Sequence, residues 1–304
     1  MMGMTDSDMN ADPLIRWRST TPSAFEAWAS RQLDLETKPP DPRGVLRAGI
    51  RTHLSKLVGS QGDLLYASFT APTLIARSDV ENVLFTNVDP TGSLFRRVAS
   101  EGVVFEFVPR DCSGLAEAPP LRCCSTYEMD RPGRPPVAWE EGDVIMKWTR
   151  VAVPALAKAT RSGPVWWDLR RGTTHTLDHS GLPDFYSVHM VLHGPREMKV
   201  NAASKVKVVT DAAVLALCCE NGRSTNEGIQ AFALRSGLDA DAVRQLMLDP
   251  SVAIFGSCAM VTRSGQANPP DTGCVRGSLL LDPGGADQWL LSGTIRSLKL
   301  RLAE

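Results

Sequence analysis

The chain has 304 residues, 43% of them hydrophobic and 22% charged, with a formal net charge of −1. This composition suits a globular protein with a real core, long enough for one large domain or two ordinary ones. Neither half carries the strong basic excess of a large nucleic-acid footprint, which leaves room only for a local basic patch. The longest apolar run, AAVLALCC, is too short to cross a bilayer, and the N-terminus lacks the basic start and apolar run of a signal peptide. Seven cysteines without a C-x-x-C pair then point to free thiols in a reducing, cytoplasmic setting. No P-loop, G-x-G-x-x-G, H-E-x-x-H or G-x-S-x-G motif is present, which argues against P-loop hydrolysis, Rossmann redox chemistry and the usual hydrolase elbows.

Residues 1–13 are polar and without period and read as disordered. In TTPSAFEAWASRQL, Thr21 and Pro22 suit the cap and first residue of a helix. Asp41 and Pro42 open a second helix, on which Leu46, Ile50, Leu54 and Leu57 form one apolar stripe. GDLLYASFTAP and EGVVFEFVPR read as strands. Residues 111–138, rich in Pro, Cys, Gly and Arg, read as a linker or long loop between a first half, 14–110, and a second half, 139–304. The second half restarts with VAWEEGDVIMKW, followed by a helix near 151–161 and the GPVWWDLRRG segment. DFYSVHMVLHGP reads as a strand and ASKVKVVTDAAVLALCCENG as a long helix. Ser224 and Glu227 form a capping box stopped by Gly237, Asp239 caps ADAVRQLML, and the C-terminal segment reads as a hairpin turned at Pro283–Gly285. The fold class is α+β.

Two segments echo each other. LLYASFTAPTLIARSDVENVLFTNVDP and FYSVHMVLHGPREMKVNAASKVKVVTDAA each place a strand near a tyrosine, then a proline, an irregular link and a helix. Strand, proline-containing link, then D-x-D-N-x-x-K-x-x-x-D opening a helix resembles the pattern of RusA-type Holliday-junction resolvases, which are dimeric, magnesium-dependent endonucleases. In the first unit the family's acids fall on Asp79, Glu81 and Asp89, its asparagine on Asn82, and its lysine position holds Phe85. In the second unit the lysine falls on Lys207 and the last acid on Asp211, whereas Ala202 and Ala203 or Ser204 stand at the first two acid positions. The resemblance implies a fused pseudo-dimer of two strand–loop–helix halves. It implies Mg²⁺ on Asp79, Glu81 and Asp89, with Lys207 and Asp211 completing the catalytic set.

The residues themselves admit a second reading. Ser78 with Glu81 makes a capping box, and Asp79 in the first turn complements the helix dipole, so two of the acids are explained without a metal. Magnesium needs carboxylates that converge on one point. Arg196, Lys199 and Lys205 beside Lys207 form a local basic patch that suits phosphate contacts, or else a solvated face. His189 and His193 lie on one face of their strand at about 13 Å, from ~3.3 Å per residue, too far apart for one ion. His175 and His179 share a face only in a helix, and of Trp166 and Trp167 at least one belongs in the core. The expectation is a cytoplasmic, DNA-associated protein or scaffold subunit that keeps the resolvase pattern with little or no catalysis and takes structured DNA or another protein as its partner. The alternatives are an active Mg²⁺-dependent endonuclease on structured DNA and a small-molecule enzyme with a Cys or His site.

Overall fold

The computed structural model describes residues 15–30, 32–33, 42–72, 79–110, 121–156, 161–173 and 183–301. Residues 1–13, Asp41, Ser78, His175 and His179 lie outside the described residues.

The first described segment is an antiparallel hairpin, β1 (Ile15–Thr21) and β2 (Ala24–Ala29). This corrects the helix expected from Thr21. Phe25, Ala27 and Ala29 bury alternately, a period of two, and Pro22 with Ser23 forms the turn while Thr21 Oγ1 accepts from the Ser23 amide. Helix α1 (Pro42–Lys56) buries Leu46, Ile50 and Leu54, with Leu57 just beyond its end, as the apolar stripe predicts. Strand β3 (Leu64–Ala71) leads through a crossover, residues 79–99, to β4 (Gly102–Pro109). Strand β5 (Cys123–Asp130) then pairs with both β2 and β3. The expected 111–138 linker is therefore corrected over 123–130. Cys123, Tyr127 and Met129 alternate inward there, and that alternation outweighs the loop-like composition around it.

In the second half, β6 (Trp139–Ala152) runs through the start of the helix expected near 151–161. The helix comes later, as α2 (Ser162–Arg171). There Trp166 is wholly buried, so it is a core residue rather than a base-stacking platform. Strand β7 (Tyr186–Gly194) precedes α3 (Ala202–Leu215), β8 (Cys219–Glu220), α4 (Asn226–Ser236), α5 (Ala240–Leu248), β9 (Ser257–Cys258), β10 (Cys274–Pro283) and β11 (Leu290–Leu300). Thr225, not Ser224, caps α4 by accepting from the Gly228 amide, while Asp239 caps α5 and Gly237 ends α4 at φ +68°. β10 and β11 do not pair with each other, which corrects the expected C-terminal hairpin: β7 lies between them, parallel to β10 and antiparallel to β11.

The nine long strands form one sheet in the order β1-β2-β5-β3-β4-β10-β7-β11-β6. β3 is parallel to β4 and β7 to β10, and the two pairs meet where β4 runs antiparallel to β10. Outward from that seam, β5 and then β2 flank β3 as β11 and then β6 flank β7, all antiparallel. The strand sequence β2-β3-β4-β5 and the sequence β6-β7-β10-β11 thus occupy the sheet in the same order and sense. Helix α3, the crossover of the second half, packs on β4, β7 and β10 and touches the crossover of the first half. Val188, Met190 and Leu192 point toward the helices, and His189 and His193 toward the other face. Among the described residues no helix is long and apolar enough to cross a membrane.

Candidate functional site

The described part of the first crossover begins at Asp79. Its carbonyl accepts from the amides of Asn82 and Val83, and a π-helical turn, Asn82–Thr86, follows. Val80, Val83, Leu84 and Phe85 are buried and draw this turn into the core, where Tyr127 Oη donates to the Leu84 carbonyl. Asn82 Nδ2 donates to Asp79 Oδ2 at 2.6 Å and fixes that carboxylate. Opposite stands α3, on which Lys207 and Asp211 are four residues apart and share one face. A third segment, the short 3₁₀ turn Asp271–Gly273 before β10, supplies Asp271.

These residues converge. Lys207 Nζ lies 3.0 Å from Asp79 Oδ2, 3.4 Å from Glu81 Oε1, 3.0 Å from Asp211 Oδ1 and 3.6 Å from Asp271 Oδ2. Asp79, Glu81 and Asp271 each offer a carboxylate oxygen within 4.8 Å of the others. Glu81 is only 1% exposed, while the side chains of Asp79 and Lys207 keep 25% and 28%, so the cluster opens to solvent on their side.

Four carboxylates against one ammonium leave a formal excess of three negative charges in a largely buried volume. The consequence is visible in the acids. Burial pushes the Glu81 carboxyl up to about 7, against the pull of Lys207 and with help from Asp211 and Asp79. Burial likewise pushes Asp211 and Asp271 up to about 7, each held back by Lys207 and raised by neighbouring carboxylates. Burial works against the Lys207 ammonium, but the four acids outweigh it and hold the group protonated far above its ordinary range. Cys274 and Tyr186, buried beside the cluster, are pushed well up by burial and by the same carboxylates.

Of the residues the sequence singled out, Asp79, Glu81, Lys207 and Asp211 meet at this point. Asp89 does not, which corrects its assignment as a metal ligand. Its carboxylate accepts from the amides of Thr91 and Leu94 and from the hydroxyls of Thr91 and Ser93, so it caps the 3₁₀ turn Ser93–Arg96. Burial opposes its ionisation, yet those bonds outweigh burial and lower its pKa. The helical turn ends at Thr86, ahead of Asp89, and Pro90 follows in the next turn. Asn82 Nδ2 is engaged with Asp79. Arg196 lies against Gly284, whereas Lys199 and Lys205 line a cleft on another side of α3. His189 bonds Ser278 at 3.0 Å, and His193 bonds Asp282 at 2.7 Å and Ser292 at 3.1 Å, so each histidine has its own cross-strand partners.

Asp271 is the member that sequence reasoning missed. It stands 60 residues beyond Asp211 in a PPDTG turn, and no local spacing links it to the other acids. Its only sequence signal is an acid placed immediately before an apolar strand. Comparison with protein-family models, with curated proteins and with solved structures returns no match.

Proposed function

We propose that this chain is a divalent-cation-dependent phosphodiesterase acting on structured DNA, with Mg²⁺ held by Asp79, Glu81 and Asp271. The single observation that carries the reading is the approach of those three carboxylates to within 4.8 Å beside Lys207. The donor set fits the ion. It is all oxygen, which suits a hard cation such as Mg²⁺ or Mn²⁺ and not zinc or copper, and its excess negative charge favours a second cation. A bound divalent ion would supply Lewis-acid stabilisation and a more acidic water.

The chain's own groups do the rest. Asn82 orients Asp79, and Asp211 holds the Lys207 ammonium from the same helix face. Lys207, partly exposed, is placed to offset charge on a phosphate oxygen at the mouth of the cluster. Asp271 takes the place that the resemblance to RusA-type resolvases gave to Asp89. In this reading the two halves are a fused pseudo-dimer: the first half contributes Asp79 and Glu81, and the second contributes Lys207, Asp211 and Asp271. The six free cysteines among the described residues fit a reducing, cytoplasmic setting.

The rival reading is a non-catalytic DNA-associated protein in which Lys207 alone neutralises the acids. It draws support from the 3.0 Å contacts that Lys207 makes with both Asp79 and Asp211. Calorimetric titration with Mg²⁺ and Mn²⁺, together with cleavage of a labelled four-way junction, separates the two. Saturable metal binding that disappears in Asp79→Asn and Asp271→Asn, with cleavage lost in both, is the expected result. A wild-type protein that neither binds millimolar metal nor cuts the junction would establish the rival.

A further inference from the structure

The second feature lies round α3 from the acidic cluster. Lys205 and Lys207 are two residues apart, roughly 200° round a helix of 3.6 residues per turn, so their side chains leave α3 on nearly opposite sides. On the Lys205 side is a cleft of about 750 Å³, lined by Thr91, Ser93, Arg96, Asn201 and Ser204 together with Lys199, Lys205 and three apolar residues. Among the described residues Arg96, Lys199 and the buried Lys205 line it and no carboxylate does, although the whole chain is formally negative.

Its place in the fold is not arbitrary. The arrangement of strands about the β4–β10 seam relates β3 and β4 to β7 and β10 by an approximate two-fold axis. Counted from the pairing of Phe85 with Lys207 and of Asp89 with Asp211, Asp79 to Asn82 correspond in sequence to Asn201 to Ser204, one residue ahead of the register that puts Ala202 first. The contacts agree with this correspondence. Asn201 Nδ2 donates to the Gly92 carbonyl, and a Cβ built on Gly92 would come within 2.5 Å of Ser204 Cβ. The start of α3 therefore meets the Asp89–Ser93 segment as the start of the first crossover meets Lys207 and Asp211. At this counterpart of the acidic site Asn201 and Ala203 stand where the first unit has Asp79 and Glu81, and Asp89 is spent on its cap.

We infer that the cleft is a phosphate-binding site that holds the backbone of a second DNA strand while the acidic site engages the first. This rests on the phosphodiester reading above for its choice of ligand. The charge argues the chemistry: the exposed Arg96 and Lys199 supply ionic contacts to phosphate at the mouth of the cleft. The amides at the start of α3 add the positive end of a 14-residue helix. One half of the chain's two-fold thus presents acids for a cation, and the other presents cations for an anion. A branched DNA with paired strands offers both ligands at once.

The test measures DNA binding by fluorescence anisotropy in EDTA, where no metal supports the acidic site. The probes are a labelled four-way junction, a labelled duplex and inorganic pyrophosphate. Arg96 and Lys199 are exposed, so R96E/K199E leaves the core intact, and K147E/K299E on β6 and β11 makes the same charge change elsewhere on the exposed surface. The expected result is at least a tenfold loss of junction affinity in R96E/K199E. The log–log salt dependence should become shallower by about 2, from a slope of roughly 0.9 per duplex phosphate contact. K147E/K299E should keep wild-type affinity within about threefold. Loss in R96E/K199E no greater than in K147E/K299E overturns the inference. Pyrophosphate binding without junction or duplex binding also overturns it, in favour of a small phosphorylated ligand. If the wild type binds Mg²⁺ but no DNA, the cleft assignment falls and the metal site stands. If R96E/K199E loses DNA while no variant alters metal binding because there is none, the cleft stands and the metal reading falls.

Discussion

Glu81 offers the sharpest test of the acidic cluster, because it is the most deeply buried of the four acids. In the folded protein without metal its carboxyl is pushed from 4.5 to about 7. The unfolded chain releases that proton near 4.5, so the folded state binds more protons between those values and its stability falls as pH rises through that window. Above pH 7 the full cost of ionising Glu81 is present, and at ~1.4 kcal/mol per pKa unit the shift corresponds to about 3 kcal/mol. Glu81→Gln mimics the protonated acid and removes that cost. In EDTA at pH 8 the variant should be more stable than wild type by up to about 3 kcal/mol, and at pH 5 by less than about 1 kcal/mol. Urea unfolding at the two pH values reads both numbers. Saturating Mg²⁺ should reverse the order, because the ion stabilises only the chain that retains its ligand. A variant less stable than wild type at pH 8, or equally stabilised at pH 5 and 8, refutes the picture of a strained, charge-rich cluster. Glu81 would then be an ordinary ion-pair partner of Lys207.

Three further outcomes follow from the same geometry. Lys207→Met leaves four carboxylates without their common counter-charge and should cost about 3–5 kcal/mol at pH 8 in EDTA, the range for breaking a buried pair. The loss should be smaller at pH 5, where Glu81, Asp211 and Asp271 hold protons, and a loss independent of pH would contradict it. Asp89→Ala removes a cap and should cost about 0.5–2 kcal/mol in urea unfolding while leaving Mg²⁺ affinity unchanged; a tenfold drop in that affinity would restore Asp89 as a ligand. Gly277→Ala probes the centre of the sheet, because a Cβ there would lie 2.5 Å from the Phe105 ring and 2.7 Å from the Val188 carbonyl. It should cost at least about 1–3 kcal/mol, as overpacking does, and a neutral substitution would argue against the β4–β10–β7 packing described above.

The sequence by itself determined the pieces with strong local signals. The apolar stripe of α1 and the caps at Asp239 and Gly237 follow from residues within one or two turns of each other, and the structure has them where the pattern put them. The paired strand–link–helix segments also marked Asp79, Glu81, Lys207 and Asp211 before any geometry was known. Where composition and period disagreed, period decided. Pro22 started a turn and not a helix, and the Cys- and Pro-rich stretch after residue 111 yielded β5, because Phe25 or Tyr127 gains more from alternate burial in a sheet than a cap supplies. Only the tertiary structure decided which strands are neighbours. β7 intrudes between β10 and β11, and β4 meets β10, because pairing joins residues far apart in the chain whose sequences carry no mark of their partners. The same holds for the site. Asp89 fits the motif by spacing, yet the turn after Pro90 commits its carboxylate to the amides of Thr91 and Leu94. Asp271 fits no spacing, yet the turn ahead of β10 delivers it to Lys207. A carboxylate's role is set by which donors surround it: those of Asp89 are local, whereas Asp79, Glu81, Asp211 and Asp271 share Lys207 because the fold brings three segments together.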